Sequence, residues 1–102
     1  MATVTLTLGN VYNKNYNDPI EIDQFLSAGS DVAFQDDDGN EINITAVNVT
    51  NDSSIMCRTV NQAENQKHTE YLIKGGWHRP VYMHKIYASG TTASAGIVVR
   101  RE

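Results

Sequence analysis

The first residues of the chain alternate between polar and apolar side chains. Val4, Leu6 and Leu8 occupy every second position, and a threonine precedes each of them. Because neighbouring side chains of a β-strand point to opposite faces, this period of two predicts a strand over Ala2–Leu8 with one apolar face. That face must bury against the core of this domain or against a neighbouring chain.

A second stretch, Asp31 to Thr50, has the pattern of a β-hairpin. Asp38 and Gly39 stand between two apolar runs and tolerate the left-handed backbone angles that a tight turn requires. The apolar positions then shift by one residue between Ile44 and Val47. Because such a shift reverses the buried face, it predicts a β-bulge, or a bend that carries the strand onto a second sheet.

Between and after these stretches, the pattern predicts short elements separated by polar loops. Gln24–Ala28 is the one plausible helix, with Asp23 as its cap and Gly29 as its stop. The other predictions are an Asn-rich loop over Val11–Pro19, a strand over Ile55–Val60, an exposed polar excursion over Asn61–Glu70 and a short strand over Tyr71–Lys74.

The last quarter of the chain, Trp77–Arg101, has the pattern of two strands joined by a turn. Val81–Ala88 is rich in β-branched and aromatic residues, which suit a pleated and half-buried surface. Ser89–Gly96 has almost no side-chain bulk, and its two glycines can take positive φ where the chain reverses. Ile97–Val99 then restarts an apolar run. We therefore expect a C-terminal hairpin over 77–101.

These elements predict an all-β protein. The 102 residues suffice for one domain, and no internal repeat or composition change divides residues 1–102 into two. About seven short strands with frequent turns indicate a small antiparallel β-sandwich or barrel. The abundance of Asn, Ser and Thr beside few strong helix formers agrees with β structure and polar loops.

The C-terminal run also resembles a known family. The proline at position 80, the strand after it, the run Tyr87–Ala93 (Tyr-Ala-Ser-Gly-Thr-Thr-Ala) and Gly96–Val99 (Gly-Ile-Val-Val) are similar to the C-terminal signature of small virion proteins. That family includes the head spike base proteins of tailed phages and gene transfer agents. The resemblance covers the last quarter of the chain and, more loosely, Gly29–Ile44. This chain departs from the family pattern in three ways: Ser94 and Ala95 are extra, its end is basic, and a long insert separates the body from Pro80.

Charge and composition narrow the classes of partner. The net charge of −4 lacks the basic stripe typical of nucleic-acid binders, so we expect no nucleic-acid partner. No apolar run is long enough to span a membrane, and the first residues lack the features of a signal peptide. Cys57, as the single cysteine, fits a protein made in a reducing host cytoplasm.

The residues that bear chemistry form no recognisable catalytic or metal-binding pattern. The acidic turn Asp36–Glu41 lacks the spacing of an EF-hand loop, and a solvated hairpin turn accounts for it. Pro80 interrupts the strand that would place His78 and His84 on one face, and no second cysteine completes a zinc set. Cys57 is in principle a nucleophile beside a histidine, but a small core residue is the simpler interpretation. We therefore expect no enzyme activity, no metal and no cofactor.

The expected function is that of a virion structural protein. The resemblance implies a capsid decoration, cement or head spike-base subunit in the virion, a homo-oligomer in a closed ring, with the major capsid protein or other virion subunits as partners. A tail, neck or fibre-attachment component is the alternative within that class, and a small β-domain that binds a sugar or host ligand is the alternative outside it. The candidate interface residues combine the apolar face of the first strand with the aromatic residues and arginines that serve as interface anchors: Val4, Leu6, Leu8, Tyr12, Tyr16, Trp77, Arg79, Tyr82, Tyr87, Arg100 and Arg101.

Overall fold

The computed structural model describes residues 3–8, 19–92 and 96–101, and it confirms the all-β prediction. Within these ranges the chain forms eight strands and one short helix. The strands are β1 (Thr3–Thr7), β2 (Ile20–Glu21), β3 (Asp31–Gln35), β4 (Ala46–Val49), β5 (Ser53–Arg58), β6 (His68–Leu72), β7 (Lys85–Tyr87) and β8 (Ile97–Arg100); the helix α1 is Asp23–Ser27, and a 3-10 turn covers Glu64–Gln66.

The strands form two sheets. The larger has the order β1-β3-β7-β5-β6, and the smaller has the order β2-β8-β4. All pairs are antiparallel except β1 and β3, which run parallel with Val4 beside Val32 and Leu6 beside Phe34. This register places the apolar positions of both strands on the same face of the larger sheet.

The two sheets share one hydrophobic core. Apolar side chains from the inner face of each sheet belong to a single cluster, which gives the domain a sandwich-like arrangement. The larger sheet contributes Val32, Phe34, Ile55, Cys57 and Ile86, the smaller contributes Val47, Val49, Ile97 and Val99, and the connections contribute Ile22, Leu26, Ile44 and Met83. Burial of each large side chain contributes about 1.5–3 kcal/mol.

The C-terminal hairpin predicted over 77–101 is wrong. β7 lies in the larger sheet between β3 and β5, whereas β8 lies in the smaller sheet between β2 and β4. A tight turn does follow β7, since Thr91 N donates to the Ala88 carbonyl and Gly90 has a φ of 91°, but it leads to β5 rather than to β8. The Thr91 hydroxyl accepts a hydrogen bond from Met56 N at 3.0 Å, and Thr92 N donates to the Ser54 carbonyl at 2.9 Å. These bonds hold residues 91 and 92 against β5.

The bend predicted between Ile44 and Val47 is confirmed. After the acidic turn, Ile42 N donates to the Phe34 carbonyl, as in a hairpin with β3. Ile44 then bridges Met83, and β4 begins at Ala46 in the other sheet. The one-residue shift in the apolar pattern therefore marks the point where the chain leaves one layer of the sandwich for the other.

Several boundaries differ from the predictions, and β5 covers Ser53–Arg58 rather than Ile55–Val60. Asp23 is the first residue of α1 rather than its cap, and Ile22 precedes the helix without a side-chain capping bond. Gly29, at φ 86°, ends the helical segment as expected. β6 begins at His68 rather than Tyr71, because the polar residues His68–Glu70 pair with Ile55–Cys57 of β5. The predicted loop over Val11–Pro19 lies, except for Pro19, outside the described residues.

Gly96 supplies a test of how closely the crossing segment packs. Its φ is +91°, and a Cβ atom at this position would overlap the hydroxyl oxygen of Thr50. We expect Gly96→Ala to lower the free energy of unfolding by about 1–3 kcal/mol, since it combines an unfavourable backbone angle with a steric clash. Chemical denaturation measures the change.

The matched control is Gly39→Ala in the acidic turn. Gly39 has a similar φ of +82°, but an added Cβ would meet no atom within 4 Å. Gly39→Ala should lower the free energy of unfolding by only about 1 kcal/mol, because the unfavourable backbone angle is its sole effect. Equal losses of stability in the two variants would contradict a close approach between Gly96 and Thr50.

Candidate functional site: an aromatic and arginine surface

Trp77 forms the centre of a surface on the small sheet. Arg100 follows the buried Val99 in β8, so its side chain projects from the outer face of that sheet. The Arg100 guanidinium lies 4.6 Å from the centroid of the Trp77 ring, and the Arg79 guanidinium lies 6.0 Å from it. Both distances fall in the range of cation–π attraction. The structure thus brings together three residues that the sequence singled out as interface anchors.

The position of Trp77 follows from how the chain runs beside β4. After Gly75 and Gly76, both at positive φ, His78 pairs with Val47 through two backbone hydrogen bonds of 2.8 and 3.2 Å. Val47 faces the core, and His78, which lies directly opposite it, faces the same side of the sheet. The residues before and after His78 therefore face the outer side. Trp77 and Arg79 are those two residues. The backbone pairing therefore places both on the outer face.

Arg101 has a different environment from Arg100. Its Nη1 donates to the Leu8 carbonyl at 3.3 Å, and its positive charge is one of the causes that lower the pKa of Asp36 in the acidic turn. The largest cause of that lower pKa is the hydrogen bond that Asn40 N donates to the Asp36 carboxylate. Arg101 therefore connects the end of β8 to β1 and to the acidic turn within the same chain.

The apolar face of β1 packs against the core of this domain, which decides between the two alternatives left by the sequence. Leu8 is buried in the shared cluster, Leu6 packs against it, and Val4 is half-buried. β1 is nevertheless the outermost strand of its sheet on this side, in the part of the chain that the structure describes. Tyr12 and Tyr16 lie outside the described residues.

Tyr87 belongs to a polar cluster rather than to an exposed surface. Its side chain is only 5% exposed, its hydroxyl donates to Glu64, and Arg58 Nε donates to the same hydroxyl at 3.1 Å. The ammonium groups of Lys67 and Lys85 lie 4.7 and 5.2 Å from the ring centroid. Burial raises the pKa of Tyr87 to about 12, and the Tyr87 hydroxyl lowers the pKa of Glu64 to about 2. The cluster holds the 3-10 turn against β5 and β7.

The lowered pKa of Glu64 predicts a pH dependence of stability. A carboxyl group whose pKa falls on folding contributes stability above its unfolded value of 4.5 and loses it as the pH falls towards about 2. We expect Glu64→Gln to lower the free energy of unfolding at pH 7 by less than about 1 kcal/mol, because the carboxylate is 58% exposed and screened by solvent. The difference from wild type should shrink between pH 4.5 and pH 2.

The measurement is urea denaturation of both proteins across this pH range. Glu21→Gln is the matched control, since it removes an exposed carboxylate from β2, outside the Tyr87 cluster. If Glu64→Gln and Glu21→Gln follow the same curve with pH, the Tyr87 hydrogen bond does not stabilise the folded state through Glu64.

Cys57 lies beside a histidine, but its surroundings disfavour a nucleophilic thiolate. Its sulfur is 3.8 Å from His68 Nε2, which also lies 3.2 Å from a Glu70 carboxylate oxygen. One ring nitrogen thus faces both groups, whereas a relay from carboxylate to nucleophile uses both nitrogens of the ring. The thiol is fully buried, and burial together with Glu70 raises its pKa to about 12. Cys57 acts as a small core residue.

Thiol titration tests this assignment. We expect native Cys57 to react with a disulfide reagent at pH 8 at least ~100-fold more slowly than in denaturant, because the thiol is buried and protonated. Cys57→Ala supplies the blank. A reaction in the native protein as fast as in denaturant would mean that Cys57 is accessible and reactive.

The sequence pattern presents His84 only as a possible metal ligand, and the structure gives it another role. It is almost fully buried, with Nδ1 3.1 Å from the Ile42 carbonyl and Nε2 3.3 Å from a Glu41 carboxylate oxygen. It therefore fixes the chain after the acidic turn against the segment before β7. Among the described residues, no group of three histidine, cysteine or acidic side chains is arranged to hold a metal ion.

Among the described residues, the two most exposed large apolar side chains are not in the predicted interface set. Tyr71 is 81% exposed and Ile73 is 68% exposed, against 53% for Tyr82. A signal was present, because the buried Leu72 lies between them and a period of two places Tyr71 and Ile73 on one face. Tyr71 lies in β6 and Ile73 directly follows it, and in the described part of the chain β6 is one of the two edge strands of the larger sheet.

Comparison of the chain with models of known protein families, with curated proteins and with solved structures finds no match. In the described ranges, none of the helical segments has the length and apolar character needed to cross a bilayer.

Proposed function

We propose that this protein is a non-enzymatic structural subunit of a tailed-phage virion, of the capsid decoration, cement or head spike-base kind. It docks on the major capsid protein or another virion subunit through the surface formed by Trp77, Arg79 and Arg100. The observation that carries the proposal is the stack of two guanidinium groups against one tryptophan on the outer face of the small sheet. The similarity of the C-terminal run to small virion proteins supports the class.

The chemistry of this surface favours an acidic protein partner. Tryptophan and arginine are the residues that contribute most to binding at protein interfaces, where they anchor in desolvated pockets. Arginine recognises carboxylates through paired hydrogen bonds, so two guanidinium groups beside one ring suit a partner that presents Asp or Glu near an apolar pocket. Strand pairing at Arg100 and the bridge between His78 and Val47 fix the backbone around these three residues, which limits the entropy lost on binding.

The geometry gives less support to the sugar-binding alternative. Sugar recognition commonly uses exposed aromatic rings, and Trp77 is a candidate ring that the structure describes. Its ring carries a guanidinium group 4.6 Å from the centroid, which occupies aromatic surface on which a sugar ring would stack. The tail, neck or fibre-attachment alternative stays within the structural class, and the location of the protein in particles distinguishes it.

Particle composition tests the proposal. We expect virions purified from cells that carry the complete phage genome to contain this protein at a fixed ratio to the major capsid protein. Trp77→Ala combined with Arg100→Glu should reduce the amount incorporated at least ~10-fold, because it removes the anchor and reverses one charge. Quantitative mass spectrometry of gradient-purified particles measures both quantities.

The matched control is Gln24→Ala, which shortens an exposed side chain on α1 that is not among the candidate interface residues. Circular dichroism must show that all variants fold. Absence of the protein from purified virions would refute the virion assignment, and incorporation that is equal for the double variant and the control would refute the docking surface.

A further inference from the structure

β6 presents an apolar edge to solvent. Tyr71 and Ile73 are the two most exposed large apolar side chains among the described residues, and Leu72 between them is buried in the core. Within the described ranges, β6 pairs only with β5 and is the last strand of the larger sheet. An edge strand with exposed apolar side chains is a ready site for pairing with another strand.

The direction of the β6 backbone groups follows from the bonds made by β5. Ser54 and Met56 turn their N–H groups towards Thr92 and Thr91, and the Arg58 carbonyl accepts from His84 N. The backbone N–H and C=O groups of these alternate residues therefore point away from β6, and those of the residues between them point towards β6.

By the register of the pair, Glu70 and Leu72 of β6 face β5. Thr69 and Tyr71 consequently direct their N–H and C=O groups to the outer side of the sheet. Beyond the strand, Lys74 N donates to the Asp52 carboxylate at 3.0 Å, next to the start of β5, and the chain bends over residues 74–76. The outward edge thus runs from Thr69 to Ile73.

We propose that a second copy of this chain pairs its own β6 with this edge, antiparallel, about a two-fold axis at Leu72. A two-fold axis at Leu72 sets Tyr71 of one copy opposite Ile73 of the other, and Glu70 opposite Lys74. Aromatic and β-branched residues pair favourably across strands, and so do opposite charges. Each contact occurs twice in the dimer because the interface is isologous.

The charges on β6 select this register. An axis at Glu70 would set two glutamates directly opposite each other, which is unfavourable. An axis at Leu72 instead places Glu70 of each copy opposite Lys74 of the other copy. The Ile73 carbonyl already accepts a hydrogen bond from His78 Nε2 at 2.7 Å. Its second lone pair is the acceptor for Tyr71 N of the second copy.

The small size of this contact defines the expected affinity. Pairing of one short edge buries far less than the ~800 Å² per partner of a standard interface, so the dimer should be weak and dependent on concentration. Sedimentation equilibrium of the full chain from about 5 to 500 μM covers dissociation constants in the micromolar range.

The first test replaces Tyr71 by lysine. Tyr71→Lys leaves the core intact, because the side chain is exposed, and it sets a charge on the apolar contact. We expect the dissociation constant of the dimer to rise at least ~10-fold. Tyr82→Lys is the matched control, since it makes the same substitution at another exposed tyrosine, and its dissociation constant should equal that of the wild type.

The second test uses charge reversal. Glu70→Lys and Lys74→Glu should each weaken the dimer, and the double variant should restore it, because each copy then again presents opposite charges across the axis. Within one chain these residues are four positions apart in an extended segment, so an intramolecular contact does not explain such a rescue.

Three results would overturn the proposal: a wild-type chain that stays monomeric at 500 μM, a dimer that Tyr71→Lys does not weaken, or charge reversals without rescue. If Tyr71→Lys did not fold, as judged by circular dichroism, the charge-reversal series alone would decide. The inference does not depend on the proposed function. Incorporation into particles tests the Trp77 surface, and sedimentation of the purified chain tests β6.

Discussion

The small sheet depends on β8. Within the described residues, β2 and β4 each pair with β8 and not with each other, so the sheet forms only where the last strand of the chain lies between them. β8 buries Ile97 and Val99 in the shared core and projects Arg100 from the outer face. One short strand therefore closes the sandwich and supplies a residue of the candidate site. Closure depends on contacts between residues far apart in the chain, which are slow to form during folding.

The edge of the small sheet is covered by another segment of the chain, whereas the β6 edge of the larger sheet is more open. Residues 75–81 run along the outer edge of β4, where Gly75, His78 and Val81 bond to its backbone and to Thr45. This cover removes an open edge and at the same time brings Trp77 beside Arg100. β6 in the larger sheet has no comparable cover among the described residues, and it carries exposed apolar side chains. The two proposals follow from this difference: a covered edge forms a docking face, and an open edge pairs with a second copy.

Most of the charged groups that the structure describes act locally. Glu64 forms ion pairs with Arg58 and Lys85 and accepts a hydrogen bond from the Tyr87 hydroxyl, while Arg101 lies near the acidic turn. These clusters fix loops and strand ends. The raised pKa of Cys57 and the lowered pKa of Glu64 both move these groups away from neutral pH, where proton transfer would use them.

The sequence alone determined the all-β class, the strand over residues 3–7, the short helix and the bend after Ile44. Each of these depends on neighbouring residues: the period of two, the turn chemistry of Asp and Gly, and a one-residue shift in the apolar pattern. It also singled out Trp77, Arg79 and Arg100 by residue type. It could not place β7 and β8 in different sheets, because an apolar strand satisfies the same alternation against any partner. Only the tertiary pairing decided the sheet to which each strand belongs. It also decided that Tyr87 is buried, that Tyr71 is exposed and that Arg79 and Arg100 lie beside Trp77.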